Sequence, residues 1–141
     1  SDYLKDNSND AKGDFAHRKL LREIKPNLAK ILDYDGNVYF EVSLIKDRIE
    51  YGRIDAVALS ECELAVIEVK VLRSNNYKNI RSDSNKQLKK AYDFFKEKFD
   101  VSPRMLRIIR SSGSKRMRTH ELKRPLEDFS IWNFQIKQKS L

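Results

Sequence analysis

The sequence predicts an α/β domain with the element order α-β-β-β-α-β. Three observations predict it: a helical pattern opens the folded part of the chain, three strand patterns follow, and a second helical pattern precedes a further strand. At 141 residues the chain fits one domain. Residues 1–12 are polar and rich in Asp, Asn and Ser, so we expect a flexible N-terminal segment followed by a single domain over 13–141.

The first helix and the first strand follow from their periodicities. The segment DFAHRKLLREI after Gly13 is typical of a helix, and Leu28 and Ile31 continue its spacing beyond Pro26. Over 38–44, apolar residues alternate with Tyr39, Glu41 and Ser43, the pattern of a half-buried strand. This alternation predicts that Glu41 faces solvent.

The next two strands form the predicted hairpin of the domain. Residues 46–48 form a turn into a strand over 49–59, and a polar loop at 60–63 leads to a strand over 64–71. If the four-residue loop closes a regular hairpin, Leu59 faces Leu64 and Asp55 faces Glu68.

The second helix and its following strand complete the order. Residues 73–83 are expected to form a polar loop, and a capping box of Ser84 and Gln87 predicts that a helix begins at Ser84. The apolar stripe of this helix is Leu88, Ala91, Tyr92, Phe95 and Phe99. Residues 105–109 predict a buried strand and 111–114 a turn, and the apolar residues over 129–136 predict a final strand.

Three charged residues interrupt the apolar hairpin. Asp55 and Glu68 face each other in the expected register, with Cβ atoms roughly 4.5–5.5 Å apart, and Lys70 projects on the side of Glu68. Two carboxylates at this spacing repel each other unless they share a cation, and Mg²⁺ or Mn²⁺ prefers carboxylate oxygen. A buried ion-pair cluster is the alternative, in which Lys70 neutralises one acid and the other depends on Arg53.

The pattern of Asp55 followed by Glu68-Val69-Lys70 on an apolar strand resembles the D…(D/E)xK signature of the PD-(D/E)xK nuclease superfamily, with Ile54 in place of the motif proline. The resemblance implies a restriction-endonuclease-like core, in which a mixed central sheet is flanked by helices. It also implies Mg²⁺- or Mn²⁺-dependent hydrolysis of phosphodiester bonds. In such a site Asp55, Glu68 and the carbonyl of Val69 bind the metal, and Lys70 orients the attacking water.

Two further motifs resemble those of the RecB-like nuclease branch. Gly13 and His17 match its GxxxH element, which implies that His17 is a metal ligand. Gln87 matches its glutamine, which contacts the lysine or the substrate backbone, while Tyr92 falls one residue later than the motif tyrosine and also fits the apolar stripe. Other branches use an acid as the remaining ligand, for which the rival candidates are Asp14, Glu23 and Glu41.

Composition points to a polyanionic partner. The formal net charge is +8, which favours nucleic acid, and no apolar run approaches the length of a membrane span. The single cysteine, Cys62, excludes an internal disulfide framework, so we expect a reducing cytosol, that of a host cell if the protein is viral. Cys62 and His120 fall in expected turns and are assigned no role. The expected nucleic-acid-binding residues are Arg73, Lys78, Arg81, Lys86, Lys90 and Tyr92.

These observations predict a metal-dependent deoxyribonuclease that acts on DNA rather than RNA and could assemble as a homo-oligomer. Two alternatives stay open: a non-catalytic nucleic-acid-binding module on the same fold, and an RNA endonuclease of the cap-snatching type.

Overall fold

The computed structural model describes residues 3–7, 15–24, 26, 37–60, 63–73, 77–124 and 133–135, apart from the side chains at 15, 16, 77–82, 122–124 and 133–135. Within these residues there are two helices, α1 (Phe15–Ile24) and α2 (Tyr77–Phe99). The strands are β1 (Leu4–Asp6), β2 (Asn37–Lys46), β3 (Ile49–Leu59), β4 (Leu64–Leu72), β5 (Arg104–Ser111), β6 (Met117–Arg124) and β7 (Asn133–Gln135). Neither described helix is long and apolar enough to cross a membrane.

The strands form one mixed sheet in which their spatial order is their order along the chain. Strands β4 and β5 are parallel, because α2 connects them as a crossover, and every other neighbouring pair is antiparallel. The predicted α/β class and the mixed sheet are therefore confirmed.

The two helices pack on separate apolar clusters of the sheet. The cluster with α1 contains Leu20, Leu21, Ile24, Ala56, Ala58, Ala65, Ile67, Val69, Leu106, Ile108 and Met117. The cluster with α2 contains Val42, Leu44, Ile54, Val57, Val66, Leu88, Ala91, Phe94, Phe95 and Met105. Adjacent residues of β4, such as Val66 and Ile67, belong to different clusters, as the alternation of side chains along a strand requires. The central sheet is thus covered by a helix on each face.

The expected hairpin register is confirmed over the β3–β4 ladder. Leu59 pairs with Leu64, Val57 with Val66 and Ala56 with Ile67. The backbone N–H of Ser60 donates to the carbonyl of Glu63, which closes the loop at the expected length.

The first correction concerns the N-terminal segment. Within residues 1–12, expected to be flexible, Leu4–Asp6 forms a strand paired with β2. Asn7 explains part of its order, because its side-chain amide donates to the carbonyl of Glu41 and to the hydroxyl of Ser43. Leu4 also packs against the α2 cluster.

The second correction concerns the start of α2. The helix begins at Tyr77, inside the expected loop 73–83, so Ser84 is not its N-cap. Ser84 is instead fully buried, and its hydroxyl accepts a hydrogen bond from Arg107. The capping-box spacing with Gln87 is therefore coincidental.

The third correction concerns the region after β5. Strand β6, which was not expected, pairs with β5 and places His120 opposite Arg107, so His120 does not lie in a turn. The expected final strand is present over Asn133–Gln135. The expectations for Asp14, Leu28, Ile31 and Cys62 lie outside the described residues.

Candidate metal centre

Asp55 and Glu68 meet where the regular pairing of β3 with β4 ends. Beyond the pair Ala56–Ile67, the two carboxylates take over as hydrogen-bond acceptors. The backbone N–H of Val69 donates to Oδ2 of Asp55 at 2.7 Å, and the backbone N–H of Asp55 donates to Oε1 of Glu68 at 3.2 Å. Each acid is thereby held against the opposite strand, which brings them together as the hairpin register predicts.

Glu68 is a buried carboxyl group with a cation beside it. Its exposed fraction is 2%, and Nζ of Lys70 lies 3.9 Å from its Oε2. Burial and the neighbouring charge of Asp55 raise the pKa of Glu68 well above its ordinary value, against the opposing effect of Lys70. Lys70 does lie on the side of Glu68, as the sequence predicts.

His17 reaches the same place from α1. Leu20, Leu21 and Ile24 of this helix are buried in the sheet cluster, and His17 lies three and four residues before the two leucines, on the same helix face. Its Nε2 is 3.4 Å from Oδ1 of Asp55. This hydrogen bond raises the pKa of His17, although desolvation opposes the effect.

Glu41 is the largest departure from the sequence-based expectation at the site. It was expected to be solvated, but its exposed fraction is 3%. Its φ of 50° places it in the left-handed region, so β2 is not regularly pleated there and the expected alternation fails. Left-handed non-glycine residues inside strands are strained and are concentrated at functional sites.

The carboxylate of Glu41 is only half satisfied. Nε of Arg53 donates to its Oε2 at 3.1 Å, while its Oε1 is buried and has no hydrogen-bond partner among the described residues. Burial, followed by the negative charge of Asp55, raises the pKa of Glu41 above its ordinary value. Arg53 therefore forms an ion pair with Glu41, an acid that the ion-pair alternative did not include.

His17, Glu41 and Asp55 form a candidate metal-binding group. Each offers a ligand atom within 4.8 Å of the ligand atoms of the other two. One imidazole nitrogen and two carboxylate oxygens suit a divalent cation, and the unsatisfied Oε1 of Glu41 is the kind of atom that a cation would satisfy. Glu68, an expected ligand, is not part of this group, and neither is the rival acid Glu23, which forms an ion pair with Arg110.

The remaining expected site residues lie on α2 or next to β4. Gln87 is exposed and lines a groove with Tyr51, while Tyr92 packs against the α2 cluster, with its hydroxyl 3.4 Å from that of Ser102. Tyr92 therefore has the structural position that the apolar stripe predicts. Arg73, Lys86 and Lys90 are exposed. Lys78 and Arg81 lie on α2, but their side chains are outside the described part of the chain.

Sequence reasoning missed Arg107, a guanidinium with an exposed fraction of 2%. Its backbone lies in register with Glu68 on β4 and with His120 on β6. Nη1 donates to Oγ of Ser84 at 2.9 Å, and Nη2 is 3.0 Å from Nδ1 of His120. Arg107 thus ties the sheet beside the acids to α2. The sequence feature that could have indicated its burial is its position between the apolar residues of β5.

No protein-family model, curated protein or solved structure matches the chain. The likeness to the PD-(D/E)xK superfamily therefore depends on the residue pattern and on the α/β architecture alone.

Proposed function

We propose that the chain is a metal-dependent nuclease of the PD-(D/E)xK type that hydrolyses phosphodiester bonds in DNA. The observation that carries the proposal is the buried, half-satisfied carboxylate of Glu41 beside His17 and Asp55, next to the pair of Glu68 and Lys70. Carboxyl groups that have perturbed pKa values and lie close together are typical of catalytic sites.

The charges of the site favour a bound divalent cation. Glu41, Asp55 and Glu68 are three acids at one end of the β3–β4 ladder. Arg53, Lys70 and the titratable His17 form ion pairs with them. Burying charge is costly unless it is compensated, and a cation between His17, Glu41 and Asp55 would supply that compensation. The imidazole ligand favours Mn²⁺ beside Mg²⁺.

The residues of the chain then divide into two roles. A divalent cation in such a site lowers the pKa of water and polarises a phosphate oxygen. His17, Glu41 and Asp55 would hold it, and the left-handed backbone of Glu41 fixes the direction of its carboxylate. Lys70, which Glu68 holds at 3.9 Å, would stabilise the negative charge that develops on the phosphate.

The test is cleavage of linear, branched and single-stranded DNA, with RNA in parallel, in Mn²⁺ or Mg²⁺. We expect Asp55→Asn and Lys70→Met to abolish cleavage. Matched controls are Asp100→Asn and Lys96→Met, which change the same residue types in an exposed ion pair at the C-terminal end of α2. Asn tolerates the left-handed backbone found at Asp100, so the first control should fold normally.

Equal cleavage by the wild type and both site variants would indicate contamination and reject the proposal. Metal-independent DNA binding without cleavage of any substrate would instead support the non-catalytic module. Cleavage confined to RNA would support the RNA endonuclease.

A further inference from the structure

A groove lies between α2 and the start of β3, separate from the candidate metal-binding group. It has a volume of about 400 Å³ and is lined by Tyr51, Lys86, Gln87, Lys89, Lys90 and Asp93. We call it the Tyr51 groove. Its lining carries three lysines and one aspartate, which suits an anionic ligand.

Two ammonium groups lie over the ring of Tyr51. Nζ of Lys46 is 4.6 Å and Nζ of Lys90 is 4.8 Å from the ring centroid. The ring itself is stacked on Phe94 in the α2 cluster, at a centroid distance of 6.4 Å. The ring of Tyr51 therefore gives each ammonium group a defined position.

The lysines that line the groove, and Lys46 beside it, differ in whether an acid neutralises them. Lys89 is paired with Asp93 at 2.7 Å, and Lys46 is paired with Glu97 at 2.9 Å. Lys86 and Lys90 form no ion pair with any residue that the structure describes. These two cations are therefore available to a ligand.

Gly52 explains how Lys90 is positioned. A Cβ atom at Gly52 would lie 3.3 Å from Cδ of Lys90, so the glycine lets the lysine stem pass close to the β3 backbone. A side chain held in this way loses less conformational freedom on binding than a free surface lysine. Lys90 is thus pre-organised over the Tyr51 groove.

The Tyr51 groove also lies within reach of the acids. Tyr51 and Asp55 are four residues apart on β3, or about 13 Å along the strand. On α2, Lys86 and Gln87 directly follow Ser84 and Asn85, whose side chains bond Arg107 in register with Glu68. A nucleic-acid strand of a few nucleotides would span the two places.

We propose that the Tyr51 groove binds a backbone phosphate of the substrate strand, a few nucleotides from the bond that is cut. Lys90 and Lys86 neutralise this phosphate. That this strand is a substrate rests on the proposed function, but binding at the groove can be tested without cleavage.

The test is the salt dependence of DNA affinity, measured by fluorescence anisotropy in EDTA with single-stranded and duplex DNA. Losing one phosphate contact lowers the slope of log affinity against log salt by about 0.7 on single strands and about 0.9 on duplex. We expect Lys90→Ala to show this loss and to weaken binding several-fold. Gly52→Ala, which keeps every charge but displaces the Lys90 stem, should weaken binding in the same direction.

The matched control is Lys96→Ala, which removes a charge from the same helix at a lysine already paired with Asp100. Equal slopes for the wild type, Lys90→Ala and Lys96→Ala would overturn the phosphate site. Because EDTA prevents metal-dependent cutting, a lower slope for Lys90→Ala would stand even if the wild type proved to have no nuclease activity. Cleavage with unchanged slopes would leave the nuclease and reject the groove.

Discussion

Asp55 and Glu68 lie face to face because each carboxylate accepts a hydrogen bond from the backbone of the other strand, at 2.7 Å from Val69 and at 3.2 Å from Asp55. The side chains thus replace backbone pairing at the end of the ladder. The two acids cannot separate without losing these bonds, so the charge repulsion between them is built into the fold.

The first prediction concerns Glu41 as a ligand. Glu41→Gln should lower the affinity for Mn²⁺ by at least about tenfold, because it removes a charged oxygen from the candidate group. Isothermal titration calorimetry on the metal-free protein measures this. Glu23→Gln is the control, since that acid is paired with Arg110 and should leave the affinity unchanged. Equal affinities for the wild type and Glu41→Gln would exclude Glu41 from the site.

The second prediction concerns the stability of the metal-free protein. The pKa of Glu68 is raised by burial and by Asp55, so the folded protein keeps a proton that the unfolded chain releases above the ordinary value of 4.5. The free energy of unfolding should therefore fall as the pH rises from about 4.5 towards the raised pKa. The hydrogen bond to Asp55 raises the pKa of His17, so His17 adds a further fall in the free energy of unfolding as the pH rises above 6.5.

Urea denaturation at a series of pH values, with EDTA present, tests this dependence. Glu68→Gln should flatten the fall, so its stability relative to the wild type should increase with pH. Glu97→Gln is the control, and its effect on stability should depend on pH in the opposite direction. Lys46 lowers the pKa of Glu97, so the stabilisation from Glu97 is present above pH 4.5 and lost on acidification. If the stability rose with pH in the wild type, and equally in Glu68→Gln, a raised pKa for the buried carboxyl group of Glu68 would be contradicted.

The third prediction concerns metal affinity and pH. A metal can bind His17 and Glu41 only in their deprotonated forms, and both have raised pKa values. Mn²⁺ affinity should therefore increase as the pH rises from about 5.5 to about 7.5, with proton release that calorimetry in buffers of different ionisation enthalpy can detect. In His17→Ala the increase should be smaller. Affinity that is independent of pH would mean that the ion binds elsewhere.

The fourth prediction concerns Arg107. Arg107→Lys should destabilise the protein by about 2–4 kcal/mol, because a lysine cannot bond Ser84, Asn85 and His120 together and leaves buried groups unsatisfied. Thermal and urea denaturation measure the loss. Arg118→Lys, an exposed change on β6, should stay within about 0.5 kcal/mol of the wild type. Equal stabilities for the two variants would show that the Arg107 bonds contribute little.

The hairpin part of the site could be predicted from the sequence, whereas Glu41 was named only as a rival ligand and its burial was not predicted. A four-residue loop and the period of two fix which residues of β3 and β4 face each other, so the positions of Asp55, Glu68 and Lys70 follow from local rules. For Glu41 the same rule failed, since one left-handed residue interrupts the alternation of β2. The sequence feature that could have indicated this is the position of Glu41 among apolar residues, which suggests an irregular strand.

Long-range contacts explain the other misses. Ser84 has the sequence context of a helix cap, but it is buried against an arginine of a different strand, 23 residues away. His120 was placed in a turn because β6 is mostly polar, although Met117 and Thr119 are buried at a spacing of two. Pairing with β5, rather than local apolar content, defines that strand.

The order of the strands in the sheet, which equals their order in the chain, bears on how the protein is made. Glu41, Asp55 and Glu68 all lie on the β2–β3–β4 meander, so the acidic half of the site comes from one continuous stretch with short connections. Such local pairings form quickly and can be completed while later residues are still being added by the ribosome. Arg107 follows α2 in the chain, so the ribosome completes the stretch with the three acids before it adds the arginine that bonds beside them.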